Sequence, residues 1–232
     1  MPLIDEVTKL RDDCLSALDA SHDYYAHTKR AWRIVQQLAQ RGYKVTIRNQ
    51  VTGNTINETQ LPGMAQEYVT GHLASATFQH FVSLLEHFVF DLLRAWLTEY
   101  PRSLSGKEVE FRIVLDAAGK SEIIAAVVER EVLGIAYQRL AEWFEHLERI
   151  AKLGCPTADQ IQRLAEIKAS RDVLVHNNGV TNSRYVGKSM GQARFAEGEA
   201  LELPEVYHRE SWQLIRQVVT DVADAAINKL GN

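Results

Sequence analysis

In the stretch Arg171-Asp172-Val173-Leu174-Val175-His176, residue types and spacing together point to chemistry. A guanidinium carries a permanent charge and a fork of donors that suits phosphate oxygens. An imidazole takes up and releases protons near neutral pH. Such a pair can cleave a phosphodiester without a metal: the arginine holds the phosphate and the histidine moves the proton. Asn177-Asn178-Gly179 follows at once. It reads as a helix end, with Gly179 suited to a left-handed cap.

The helix carrying this stretch is expected over residues 157–176, with Thr157 as its start signal and Gly154-Cys155-Pro156 as the break before it. On a wheel of 100° per residue, Arg171 falls within the apolar arc of Leu164, Ile167, Leu174 and Val175. A charge there needs a partner or an aqueous pocket. His176 lies about 140° away from Arg171, so a regular helix separates the two side chains. They converge only where the helix ends, or where a second copy of the chain supplies the missing group. The carboxylate expected to pair with Arg171 is Glu86, which lies in the apolar arc of an earlier helix near Leu93 and Leu97. A structural salt bridge between Glu86 and Arg171, with His176 only capping the helix, accounts for the same residues without catalysis.

The remaining elements follow from periodicity. A first helix is expected from about Ile4 to Ala39, with Leu10, Cys14, Leu18, Tyr25, Trp32 and Val35 inward. A small β-hairpin excursion is expected near residues 43–60, from the alternation in Tyr43–Ile47 and the turn at Gly53-Asn54. A long helix then runs from about Ala65 to Tyr100, stopped by Pro101. Its apolar stripe is Phe78, Phe81, Leu85, Phe88, Leu92 and Trp96. Further helices are expected near Val109–Leu115, Lys120–Leu133 and Ala136–Leu153. Residues 181–204 read as an irregular loop, and a last helix spans about Tyr207–Leu230. The expected fold is an all-α helical bundle with one small β excursion.

Composition limits the function classes. Hydrophobic residues make up 46% of the chain and formal net charge is −4, which argues for a folded domain and against one that coats nucleic acid through bulk charge. Two cysteines, Cys14 and Cys155, are too few for a disulfide framework. The start of the chain shows no signal-peptide pattern, and Phe78–Leu97 carries too many charges to span a membrane, so a cytoplasmic protein without a membrane partner is expected. No cofactor and no metal are expected. His80, His87 and Asp91 share one polar helical face with Arg94 but read as solvated residues rather than ligands. His22, His27, Tyr24 and Tyr25 are assigned to packing or surface. The four tryptophans sit at core spacing. Arg184, Lys188 and Arg194, just after the motif, are candidates for a basic lip over an RNA strand.

The Arg171–His176 stretch, its continuation to Val180 with Tyr185, and the helix Phe81–Phe88 ending at Tyr100-Pro101 resemble the HEPN superfamily (higher eukaryote and prokaryote nucleotide-binding domains). The family signature is an Arg, four to six residues, then a His, late in an all-α bundle. The resemblance makes residues 65–232 a HEPN-like helical domain. It leaves residues 1–64 as an N-terminal helix plus hairpin packed on the bundle. It implies a metal-independent RNA endonuclease leaving a 2′,3′-cyclic phosphate, in a toxin–antitoxin, stress or antiviral defence setting. Arg171 and His176 would be catalytic, with Glu86, Asp172 and Asn177 supporting them. The implied partners are an RNA substrate, a second copy forming a homodimer with a composite active site, and an antitoxin or regulatory protein. Two departures stand out. Asp172 occupies a position commonly Asn in the family, and Asn178 occupies the position of a tyrosine that some antitoxins modify. Inactive scaffolds also occur, so the alternative is a non-catalytic helical module that binds a protein or nucleotide.

Overall fold

The computed structural model describes residues 2–231 and is all-α apart from one two-stranded hairpin. Helix α1 (Leu3–Gln40) buries Leu3, Val7, Cys14, Leu18 and Tyr25, at spacings of four and seven residues that keep one face inward. The hairpin pairs β1 (Ile47–Arg48) with β2 (Thr55–Ile56), antiparallel, with Ile47 opposite Ile56. It is shorter than the sequence implies, and Tyr43 to Thr46 lie outside it. Its turn is fixed by the Asn49 side chain, which accepts from the amides of Val51 and Thr52 at 2.9 Å, and by Gly53 at φ +71°.

The long helix expected from Ala65 is divided. Helix α2 (Leu61–Gln66) takes Pro62 into its first turn, where a missing N–H costs nothing. A wide π turn follows over Glu67–Leu73, and only then does α3 (Ala74–Glu99) begin. Within the π turn the Thr70 hydroxyl donates to the Gln66 carbonyl at 2.8 Å, an alternative to the regular backbone ladder. All six residues of the expected α3 stripe are buried.

Three short or medium helices come next: α4 (Phe111–Asp116), α5 (Lys120–Ala136) and α6 (Leu140–Ala151). Helix α7 (Ala158–His176) starts at Thr157, whose hydroxyl accepts from the Gln160 amide at 3.3 Å while the Gln160 side chain accepts from Thr157 N–H at 2.8 Å. Helix α8 (Ser183–Lys188) follows, and α9 (Glu205–Gly231) closes the chain.

One continuous core joins Leu3 to Leu18 of α1, the α3 stripe, Trp143 and Leu147 of α6, Leu164 and Ile167 of α7, and Ile215 to Ala226 of α9. Helix α1 thus packs against both α3 and α9. No described helix is long and apolar enough to cross a membrane.

Residues 181–204, expected as an irregular loop, are more ordered than that. They include α8 and close a second small core in which Ala169, Val173 and Tyr185 pack with Ala193, Phe195 and Leu201. The segment is tied to the turn after α7 by Leu201 N–H to Gly179 O (2.7 Å) and closed on itself by Thr181 N–H to Glu199 O (2.9 Å). Helix α7 is therefore covered on two sides. Val175, placed inward by the wheel, is 47% exposed, because α7 is ending there.

Candidate active site at the end of helix α7

The last turn of α7 hands its carbonyls to the loop that follows. Asn177 and Gly179 both donate backbone N–H groups to Val173 O, at 3.0 and 3.2 Å. Gly179 has φ +77°, as its cap role requires, and Asn178 is also left-handed at φ +50°. The Asn177 side chain donates to the Val180 carbonyl and locks this turn. His176 is the final helical residue. It is exposed and makes no hydrogen bond or ion pair with any described residue.

His176 lines a cleft of about 270 Å³. Asp172, Asn177, Asn182, Arg184 and Lys188 share its wall. Asn182 caps α8, accepting from Tyr185 N–H at 3.0 Å, and so fixes the direction in which α8 leaves the cleft. Arg184 and Lys188 are one turn apart on α8 and both exposed. The structure thus brings His176, Asp172, Asn177, Arg184 and Lys188 together.

Arg171 is turned away from that cleft. Its guanidinium is 15% exposed and its Nη2 meets Glu86, the partner the sequence assigns to it. Its Nη1 lies 3.2 Å from Asp172 Oδ1. Asp172 Oδ2 lies 3.3 Å from Lys168 Nζ and 3.4 Å from Lys188 Nζ, and Lys168 is also 3.6 Å from Glu86. Two carboxylates and three cations therefore form one chain of charges, with Asp172 the link between Arg171 and the cleft. Arg171 Nε is buried with no hydrogen-bond partner among the described residues.

Arg194 lies outside both groups. Its Nε is 3.1 Å from Glu166 Oε1, its Nη1 donates to the Glu202 carbonyl at 3.3 Å, and its guanidinium stacks 3.3 Å from the centre of the Tyr207 ring. Glu166 is 3% exposed and accepts from Ser170 Oγ (2.7 Å), Tyr185 OH (2.8 Å) and Tyr207 OH (2.6 Å) as well. Burial first, and the Glu166 charge second, push both tyrosine hydroxyls above their ordinary value, so both remain donors. Sequence reasoning missed Glu166, Ser170 and Tyr207. The available signal was that Glu166 falls on a face of α7 shared with Ala165, Ala169 and Ser170, small residues that admit a close neighbour.

His80 Nδ1 sits 3.2 Å from the Ser21 hydroxyl, Asp91 pairs with Arg94, and His87 is exposed. No cluster of three or more His, Cys, Asp or Glu side chains able to hold a metal occurs among the described residues.

No family model, no curated protein and no solved structure matches this chain.

Proposed function

We propose that this protein is an RNA endonuclease that works without a metal and leaves a 2′,3′-cyclic phosphate. The observation that carries the reading is His176: an exposed, unpartnered imidazole at a helix end, facing a cleft it shares with Arg184 and Lys188. In this mechanism His176 takes the proton of the ribose 2′-hydroxyl as that oxygen attacks phosphorus. The bond to the 5′-oxygen breaks, and the leaving oxygen takes up a proton from the imidazolium of His176 or of a second copy. The product ends are a cyclic phosphate and a 5′-hydroxyl. Arg184 and Lys188 offset the charge gathering on the phosphate oxygens. Arg171 is held by Glu86 and Asp172 and reaches a phosphate directly in a homodimer that sets two α7 ends face to face. A toxin, stress or defence role, with an antitoxin or regulatory partner, is the setting in which such an activity is held in check.

The test is incubation of the full chain with mixed single-stranded RNA in EDTA, beside His176→Ala, with analysis of product ends. Cyclic phosphate made by the wild type, and reduced about 10²- to 10⁴-fold or more in the variant, is the expected result. Cleavage that survives His176→Ala overturns the assignment.

One observation favours a second reading, a non-catalytic binding module. Arg171 is already engaged by Glu86 and Asp172, as a structural ion pair would be. On that reading neither protein cleaves RNA and Arg171→Ala still lowers stability.

A further inference from the structure

A strongly charged groove lies away from the His176 cleft, between α1 and the start of α9. Lys29, Arg30 and Arg33 line one side, Arg209 the other, and Gln37 extends the α1 row by a turn; the volume is about 520 Å³. One carboxylate, Glu205, shares the lining and pairs with Lys29. Glu205 is held below its ordinary carboxylate range, first by that bond and also by Arg209 and Arg33 nearby. Arg30, Arg33 and Arg209 themselves make no hydrogen bond or ion pair with any described residue. Their situation differs from that of Arg11, Arg94, Arg171, Arg194 and Arg216, each engaged by a carboxylate. Three guanidinia with no carboxylate in direct contact around one groove, in a chain of net charge −4, concentrate positive potential there.

We infer that this groove holds the phosphate backbone of a single-stranded RNA. The row from Lys29 to Gln37 runs roughly 12 Å along the helix. That is too long for one phosphate to touch and suits successive phosphates of an extended strand. Arg209 meets the strand from the opposite wall. At one end of the groove the half-buried His22 ring is stacked on Trp212 at 4.0 Å, giving a base a flat neighbour. The strand's identity as a substrate rests on the nuclease reading; the groove's capacity to bind it does not.

The experiment uses the full chain carrying His176→Ala, so that binding is read without cleavage. A labelled mixed-sequence RNA is titrated against this protein and against the same protein with Arg30→Gln, Arg33→Gln and Arg209→Gln, across a range of salt. The triple change is expected to weaken binding at least tenfold and to reduce the salt slope by about 2, one phosphate contact per arginine. Circular dichroism is expected to be unchanged, since the three side chains are exposed and bond nothing. Equal affinity and equal slope in the two proteins overturn the groove, even where the wild type cleaves RNA. Loss of binding in the triple variant with a wild type that never cleaves leaves the groove standing and removes the nuclease reading. Displacement of the RNA by tripolyphosphate at equal phosphate concentration overturns the strand in favour of a small oligophosphate.

Discussion

Helix α7 carries two arginine–carboxylate groups, and they are built differently. At Glu166 every carboxylate contact is supplied from within the chain: two tyrosines, a serine and Arg194 converge on a side chain that is 3% exposed. At Asp172 the group is open. Its cations lie at 3.2 to 3.4 Å, one of them, Lys188, is half exposed, and the adjoining cleft is bounded by an unpartnered His176. A buried charge is stable only when its partners are complete, so the first group fastens the 181–204 segment to the bundle. The second keeps cations beside a cleft into which an anion can come. One helix thus has a face that anchors α8 and a face that uses it.

The largest effect is expected at Glu166. Glu166→Ala removes the acceptor of two tyrosines and leaves the half-buried Arg194 against the Tyr207 ring without its carboxylate. A loss of about 3–5 kcal/mol is expected, read from urea unfolding. Glu166→Gln keeps an acceptor but not the charge and is expected to fall between the two. A cost below about 1 kcal/mol for the alanine change would show that the cluster does not hold the segment. His176→Ala is the matched control, expected within about 0.5 kcal/mol of wild type because the side chain is exposed and bonds nothing.

The next effect is acid-driven and lies under the anchoring side of the molecule. His208 is fully buried, stacked on Tyr25 at 4.1 Å and bonded through Nε2 to the Thr77 hydroxyl at 2.8 Å. Burial, helped slightly by His22 and opposed by Glu205, lowers its pKa to about 4. The unfolded value is about 6.5. Between these values the unfolded chain binds a proton that the folded chain refuses. Stability is therefore intact above about pH 6.5 and drains as the pH falls towards 4, by about 3 kcal/mol in all. His22 and His146 are lowered in the same direction by burial. Melting followed from pH 7 to 4 is expected to fall steeply in the wild type and less so in His208→Gln. Parallel profiles would remove His208 as the cause.

Much of the positioning frame was legible in the sequence, down to the pairing of Glu86 with Arg171. The α3 stripe, the Thr157 start of α7, the Gly179 cap and the Glu86–Arg171 pair all follow from local rules: periodicity, capping and the cost of an unpaired charge. The fold class followed for the same reason. The Glu166 cluster did not, because its members lie at 166, 170, 185, 194 and 207 and meet only through a segment without a periodic pattern. Arg194 reads like Arg184 and Lys188 on sequence, but the segment's path carries it to Glu166 instead of the His176 cleft. The π turn at Glu67–Leu73 was hidden too, since its residues continue a helical pattern without a break. The wheel correctly separated Arg171 from His176, and the structure shows which cations stand near His176 in its place.

Smaller effects are expected at the open group around Asp172. Arg171→Ala leaves Glu86 with Lys168 at 3.6 Å as its remaining cation. A loss of about 1–3 kcal/mol is expected by thermal or urea melts, less than at Glu166 because both partners retain some solvent. Cleavage is expected to fall with it, since the facing pair of α7 ends loses the guanidinium that reaches the phosphate. An unchanged melt with unchanged cleavage would leave Arg171 with no part in either the fold or the site.

Asp172→Asn has the smallest expected cost and the most to say about the cleft. Asparagine keeps an acceptor for Arg171 and occupies nearly the same volume, so stability is expected to shift by less than about 1 kcal/mol. It removes one negative charge from the wall that His176 shares with Arg184 and Lys188. Lys188, half exposed and held at 3.4 Å, is then free to turn towards a phosphate. Cleavage in EDTA is expected to rise several-fold, RNA to bind more tightly, and the salt dependence to steepen, as an added cationic contact requires. A fall in cleavage at unchanged stability would give Asp172 the opposite role: a carboxylate that must hold Lys188 in place for the phosphate to be met at all.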